Sequence, residues 1–137
     1  MAHALLNYKG LCSSIHGHSY VLSVTLIGEP INITSDPNNG MVLDFSILKD
    51  IVRKNIIDKH DHSLLLNTDT PGKEALLANK LFEKVVFTNY QPSCENLLLD
   101  FASILKDKFP AGVKLFSLKL WETDTSFAEW YASDNEG

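Results

Sequence analysis

The hydrophobic period of this chain changes twice, from that of a strand to that of a helix and back. Ser19–Gly28 reads Ser-Tyr-Val-Leu-Ser-Val-Thr-Leu-Ile-Gly, rich in β-branched and aromatic residues, and predicts a strand. Asp44 then stands as a helix N-cap, with Phe45, Leu48, Ile51, Val52 and Ile56 behind it at helical spacing, so a helix is expected to end near Ile57 or Asp58. A second amphipathic stretch follows Pro92 and Ser93. Its stripe is Leu97, Leu98, Phe101, Ile104, Leu105 and Phe109, and Pro110 and Gly112 stop it. Val113–Glu122 returns to alternation, and Ala128–Tyr131 predicts a last strand. An order of strand, helices and strands implies an α+β domain with antiparallel pairing.

The intervening pieces are less regular. Residues 4–15 read as a loop, and Glu29–Gly40, with Pro30, Pro37 and Gly40, as a loop or wide hairpin. Met41–Leu43 reads as a short extended piece, Asp61–Asn67 as a loop with a leucine run, Glu74–Glu83 as a short helix and Val85–Thr88 as a brief strand. No repeat, low-complexity tract or linker interrupts the chain, so one domain is expected over 1–137.

Composition excludes several partners. A net charge of −5 gives no electrostatic case for nucleic acid or an anionic membrane surface. No apolar run is long enough to span a bilayer. The start of the chain lacks a signal peptide's basic residues and apolar stretch. The two cysteines, Cys12 and Cys94, are expected as reduced thiols in a cytoplasmic protein.

Chemistry concentrates near the start. His16 and His18 flank Gly17, and residues two apart in a strand point to one side. They can offer two imidazoles to one ion, and His3 can reach the same point from a neighbouring segment. Three neutral nitrogens with one open position make a catalytic zinc site, although histidines beside a glycine are also ordinary polar loop residues. Cys12 lies just upstream. It is an inert thiol or, beside a dication, a thiolate able to act as base or nucleophile. Cys94 reads as structural. Asp61 and His62 are an adjacent acid and imidazole, a surface pair or a carboxylate orienting a ring. Asp58 and His60 read as solvated loop residues. Glu95 falls in the first turn of its helix, where the dipole suffices to explain it. Glu122 closes a strand, either facing solvent or binding the amidine-like edge of a heterocycle.

Six pieces in order carry a resemblance. They are Ala2-His3-Ala4-Leu5, Cys12-x3-His16-Gly17-His18-Ser19-Tyr20, Gly40-Met41-Val42-Leu43-Asp44-Phe45, Asp61-His62 with Leu66-Asn67, Pro92-Ser93-Cys94-Glu95-Asn96, and Glu122-Thr123. Together they resemble the 6-pyruvoyl-tetrahydropterin synthase family. The three-residue gap between Cys12 and His16 is similar to its bacterial 6-carboxytetrahydropterin synthase branch.

The resemblance implies that His3, His16 and His18 hold Zn2+ and that Cys12 is the catalytic thiolate. It implies that Asp61 and His62, from a neighbouring subunit, complete a relay with Cys12. It also implies that Glu122 anchors a pterin ring and Glu95 helps line that pocket. The implied fold is the tunnelling fold, a four-stranded antiparallel sheet with two helices on one face, assembling as a trimer or a dimer of trimers. The implied substrate is 7,8-dihydroneopterin triphosphate, a small-molecule pterin triphosphate.

The chain departs from the family in three places. His3 stands two residues from Met1, where the family has a preceding strand, so that strand is expected to be missing or cut short and His3 to be prone to fray. The Asp-His to Leu-Asn spacing is one residue longer than usual, and Cys94 stands where hydroxyl or small residues are common. Two rivals share the motifs: the pyruvoyl branch, with a different product, and a non-catalytic zinc-binding assembly module. A generic zinc hydrolase would need a glutamate base near the histidine pair, and none is evident.

Overall fold

The structure, a computed structural model, describes residues 1–135; the last two positions of the expected 1–137 domain lie outside the described residues. The strands are Ala2–His3 (β1), His16–Gly17 (β2), Val21–Ile27 (β3), Leu64–Asn67 (β4), Val85–Thr88 (β5), Lys114–Thr123 (β6) and Ser126–Tyr131 (β7). The helices are Phe45–Val52 (α1), Asp58–His60 (α2), Lys73–Leu77 (α3) and Cys94–Leu105 (α4). The π turn Arg53–Ile57 joins α1 to α2.

The predicted strands 19–28, 113–122 and 128–131 become one antiparallel sheet, in the order β3-β6-β7. Its inner face shows how irregular alternation is accommodated. Leu115 and Leu118 are three apart, an odd spacing that should put them on opposite faces, yet both are buried. The β3–β6 register shifts between Thr25 and Leu26, and the extra residue of this bulge returns Leu115 to the core side. α4 packs across β6 and β7. Its Leu97, Leu98, Phe101 and Leu105 meet Leu115, Leu118 and Leu120, with Ile56 of the π turn completing the cluster.

A second sheet has the order β2-β1-β4-β5, and it corrects the expectation of one antiparallel four-stranded sheet. β1 pairs antiparallel with β2, but β1 with β4 and β4 with β5 are parallel. The leucine run expected as loop is strand β4. Leu65 packs into the main core, while Leu64 and Leu66 pack with Ala4 in a second cluster on the other side. A strand buried on both faces shows no alternation, so its period carries no signal.

The helix starts were legible in the sequence. Asp44 accepts the Ser46 amide at 2.7 Å, and Ser93 caps α4 through the Asn96 amide. α4 ends at Leu105 rather than Phe109, and the middle helix is confined to Lys73–Leu77. The expected fraying of His3 is absent. His3 is only 2% exposed, between strands on both sides.

Candidate metal centre

β1 and β2 are two residues each, and their register sets His3 opposite His16. His18 continues from β2, its amide donating to the Met1 carbonyl at 3.1 Å. The three rings converge, with centroids 4.5 Å apart for His3–His16, 5.3 Å for His3–His18 and 4.9 Å for His16–His18. One ligand nitrogen from each lies within 4.8 Å of the other two.

Hydrogen bonds assign the tautomers. His3 Nδ1 donates to the Pro92 carbonyl at 2.6 Å, and His16 Nδ1 donates to the Ser14 carbonyl at 2.7 Å. Both Nε2 atoms are therefore lone pairs, and they face each other at 3.0 Å. Lone pairs that close repel unless a proton or cation lies among them. His18 Nε2 is buried and lacks a hydrogen-bond partner among the described residues. Three imidazoles, two of them fixed by carbonyls behind the ring, make a donor set that fits zinc. Burial lowers the pKa of His3 despite the Pro92 carbonyl, and a neutral ring is the ligating form.

The segment after β5 supports this arrangement. The Gln91 side-chain amide accepts from the Leu6 amide at 2.9 Å and donates to the Leu6 carbonyl at 2.8 Å, tying the first loop down. The Asn96 side chain donates to the Gln91 carbonyl at 3.0 Å. The Pro-Ser-Cys-Glu-Asn motif thus helps hold the carbonyl that aims His3. Cys94 is buried, donates to the Leu120 carbonyl, and has its pKa pushed up to about 11 by burial, which suits an inert thiol.

Glu122 lies beside the cluster. Its Oε1 is 3.4 Å from His3 Nε2 and 3.6 Å from His18 Nε2. Tyr20, two residues beyond His18, donates its hydroxyl to the same oxygen at 3.1 Å. Burial, with Glu122 alongside, raises the Tyr20 pKa, so the hydroxyl keeps its proton; a charge on Cys12 would add to that rise. Cys12 itself is half-buried in a 3-10 turn, Leu11–Ser13, outside the ligand group.

The other expected residues are not drawn into this cluster. Asp61 and His62 pair at 3.1 Å, but their side chains are 61% and 91% exposed. They line the rim of a cleft of about 520 Å3 that His18 and Tyr20 also line. Glu95 is exposed in the first turn of α4.

Sequence reasoning missed two residues. Tyr20 continues the two-residue spacing of His16 and His18, a signal that was available. His60, read as a solvated loop residue, is 4% exposed, with its ring edge-on to Phe101. It stands four residues after Ile56, one more step along the apolar stripe.

The 6-pyruvoyl tetrahydropterin synthase family model matches residues 1–133. The chain belongs to this family. It is 34% identical over 132 residues to the 6-carboxy-5,6,7,8-tetrahydropterin synthase of Haemophilus influenzae, covering 95% of this chain and 91% of that protein. It is 30% identical over 129 residues to the Rickettsia felis protein of the same name, covering 93% and 90%. Its fold matches an uncharacterized protein of Wolinella succinogenes with a TM-score of 0.77 at 22% identity, over 96% of this chain and 92% of that one. It also matches the 6-pyruvoyl tetrahydropterin synthase of Plasmodium vivax with a TM-score of 0.64 at 21% identity, over 94% and 87%. The two sheets and α4 are thus the α+β tunnelling fold of this family, with one sheet mixed.

Proposed function

We propose that this chain is a zinc-dependent 6-carboxy-5,6,7,8-tetrahydropterin synthase. It converts 7,8-dihydroneopterin triphosphate to 6-carboxytetrahydropterin, with release of triphosphate and acetaldehyde. The relatives' names support the carboxy branch. The carrying observation is the convergence of His3, His16 and His18, two of them locked as ε-nitrogen donors by carbonyls.

His3, His16 and His18 would hold the ion. When bound, zinc supplies Lewis acidity to the substrate's side-chain hydroxyls. Cys12, as thiolate, takes the proton from the adjacent carbon. His62, oriented by Asp61, moves protons in the later steps, and in the assembled enzyme this pair comes from a neighbouring subunit. The high exposure of His62 supports that arrangement, because a general base works best where water is excluded. Glu122 takes the amino-pyrimidine edge of the pterin, and Glu95 lines the same pocket. The assembly is a trimer or dimer of trimers, in the cytoplasm, serving 7-deazapurine (queuosine) biosynthesis. Among the described residues no helix is long and apolar enough to cross a membrane.

Metal content and product identity on one purified sample test the reading. Stoichiometric zinc with 6-carboxytetrahydropterin as product supports it. A pyruvoyl product moves the chain to the other branch, and bound zinc with no turnover of the pterin makes it a non-catalytic module.

A further inference from the structure

Glu122 occupies an unusual place in its strand. Trp121 faces Phe127 and Thr123 faces Ser126, so Glu122 is the extra residue of a bulge between β6 and β7. Such a residue re-aims its side chain. Here the carboxylate turns toward the histidines rather than standing free for a heterocycle.

Oε1 accepts the Tyr20 hydroxyl at 3.1 Å and otherwise faces ring nitrogens. His3 Nε2 has no proton to give, because Nδ1 carries it to the Pro92 carbonyl. Its lone pair nevertheless lies 3.4 Å from Oε1. His18 Nε2, buried and without a hydrogen-bond partner among the described residues, lies 3.6 Å from the same oxygen. Electron-rich atoms gathered in this way are relieved by a proton or a cation among them, and a metal ion serves all of them at once. With bonds of about 2.0–2.1 Å, the ligands of a tetrahedral zinc stand about 3.3–3.4 Å apart. The 3.4 Å from Glu122 to His3 matches that edge, the 3.6 Å to His18 lies slightly over it and the 3.0 Å between His3 and His16 slightly under it.

Glu122 is not within 4.8 Å of all three histidine nitrogens, since the group that meets this limit is the histidines alone. It therefore meets the edges to His3 and His18 and stands off from His16. Tyr20 holds Oε1 on the side of the histidines.

We propose that Glu122 is a displaceable fourth ligand. Its Oε1 closes the open coordination position before substrate arrives. It is released to the pterin edge when the substrate's hydroxyls take that position. A carboxylate on three neutral imidazoles leaves the centre a net charge of about +1, which tempers the resting ion, and its departure restores the full charge when substrate is present. This inference rests on the reading of His3, His16 and His18 as metal ligands.

Cobalt(II) spectroscopy and zinc competition against a chromophoric chelator test it, on the wild type, Glu122→Ala and the near-isosteric Glu122→Gln. The expected result is one metal per chain in all three. Zinc binds about tenfold more weakly to both variants. The visible cobalt bands of the wild type shift in Glu122→Ala, where water replaces the carboxylate. Identical cobalt spectra and zinc affinities within twofold would overturn the fourth-ligand role and leave the three-histidine site standing. A wild type that binds neither metal would overturn the metal reading itself.

Discussion

The histidine cluster and the Asp61–His62 turn use the same residue type in opposite surroundings. His3 is 2% exposed, paired on both sides by strands, and its ring is fixed by a carbonyl from a distant loop. The His62 side chain is 91% exposed and its backbone is left-handed, with φ of 57°. One contact with Asp61 at 3.1 Å holds the ring. The first arrangement is finished by this chain alone. The second is an imidazole presented outward to water. Preorganisation is what makes a ligand or base effective, so the two regions teach which side chains the fold fixes and which it leaves to solvent.

Breaking the finished region should have the largest effect. His16→Ala is expected to reduce bound zinc from about one per chain to near none and turnover to background. Because His16 is only half-buried, the fold should survive. His3→Ala should lose the metal and also destabilise the protein by about 1–3 kcal/mol, since it removes a buried hydrogen-bonded ring. Metal analysis alongside thermal melts separates the two. If His16→Ala retained stoichiometric zinc, this cluster would not be the metal centre.

Cys12→Ala comes next. Turnover should fall by about 10²–10⁴-fold with zinc content unchanged, because Cys12 lies outside the ligand group. Full activity in this variant would remove the thiolate from the mechanism.

The outward region gives a sharper test. His62→Ala should cost about 10²-fold in turnover and less than about 0.5 kcal/mol in stability, as expected for an exposed residue. Mixing unfolded Cys12→Ala and His62→Ala chains and refolding them together should restore about one quarter of the sites if Cys12 and His62 act across subunits. Assay of the mixture against each parent reads this directly. No recovery would mean that the cleft shared by His18 and His62 is completed within one chain.

The same contrast governs what the sequence discloses. His16, His18 and Tyr20 follow a two-residue period, so their common direction is legible from spacing alone. The capped helices were legible because Asp44 and Ser93 satisfy amides that any helix leaves open. Strand β4 was not, because Leu64–Leu66 are buried on both faces and leave no alternation to read. Nor was the approach of Glu122 to the histidines. It depends on a one-residue bulge and on Tyr20 reaching across 102 positions, neither of which has a local signature.

His60 marks the boundary between the two regions, and its effect should be the smallest. It directly precedes the exposed Asp61, yet its ring is buried against Phe101. Nδ1 donates to the Ile56 carbonyl at 2.7 Å, and Nε2 has no hydrogen-bond partner among the described residues. Burial lowers its pKa from 6.5; the Ile56 carbonyl and Asp100 oppose this, while Lys59 and Lys84 add to it. The folded state therefore binds this proton less readily than the unfolded chain. Well above pH 6.5 the two states bind it equally little and His60 contributes no slope. As pH falls below 6.5 the unfolded chain takes a proton that the native ring refuses, so stability declines until the lowered native value is reached, and then levels. His60→Leu should remove this component. Thermal midpoints taken between about pH 5 and pH 7 should fall less steeply for the variant than for the wild type. Equal slopes for wild type and His60→Leu would mean that the ring at position 60 is as open to water as its neighbour at 62, and the boundary drawn between them would vanish.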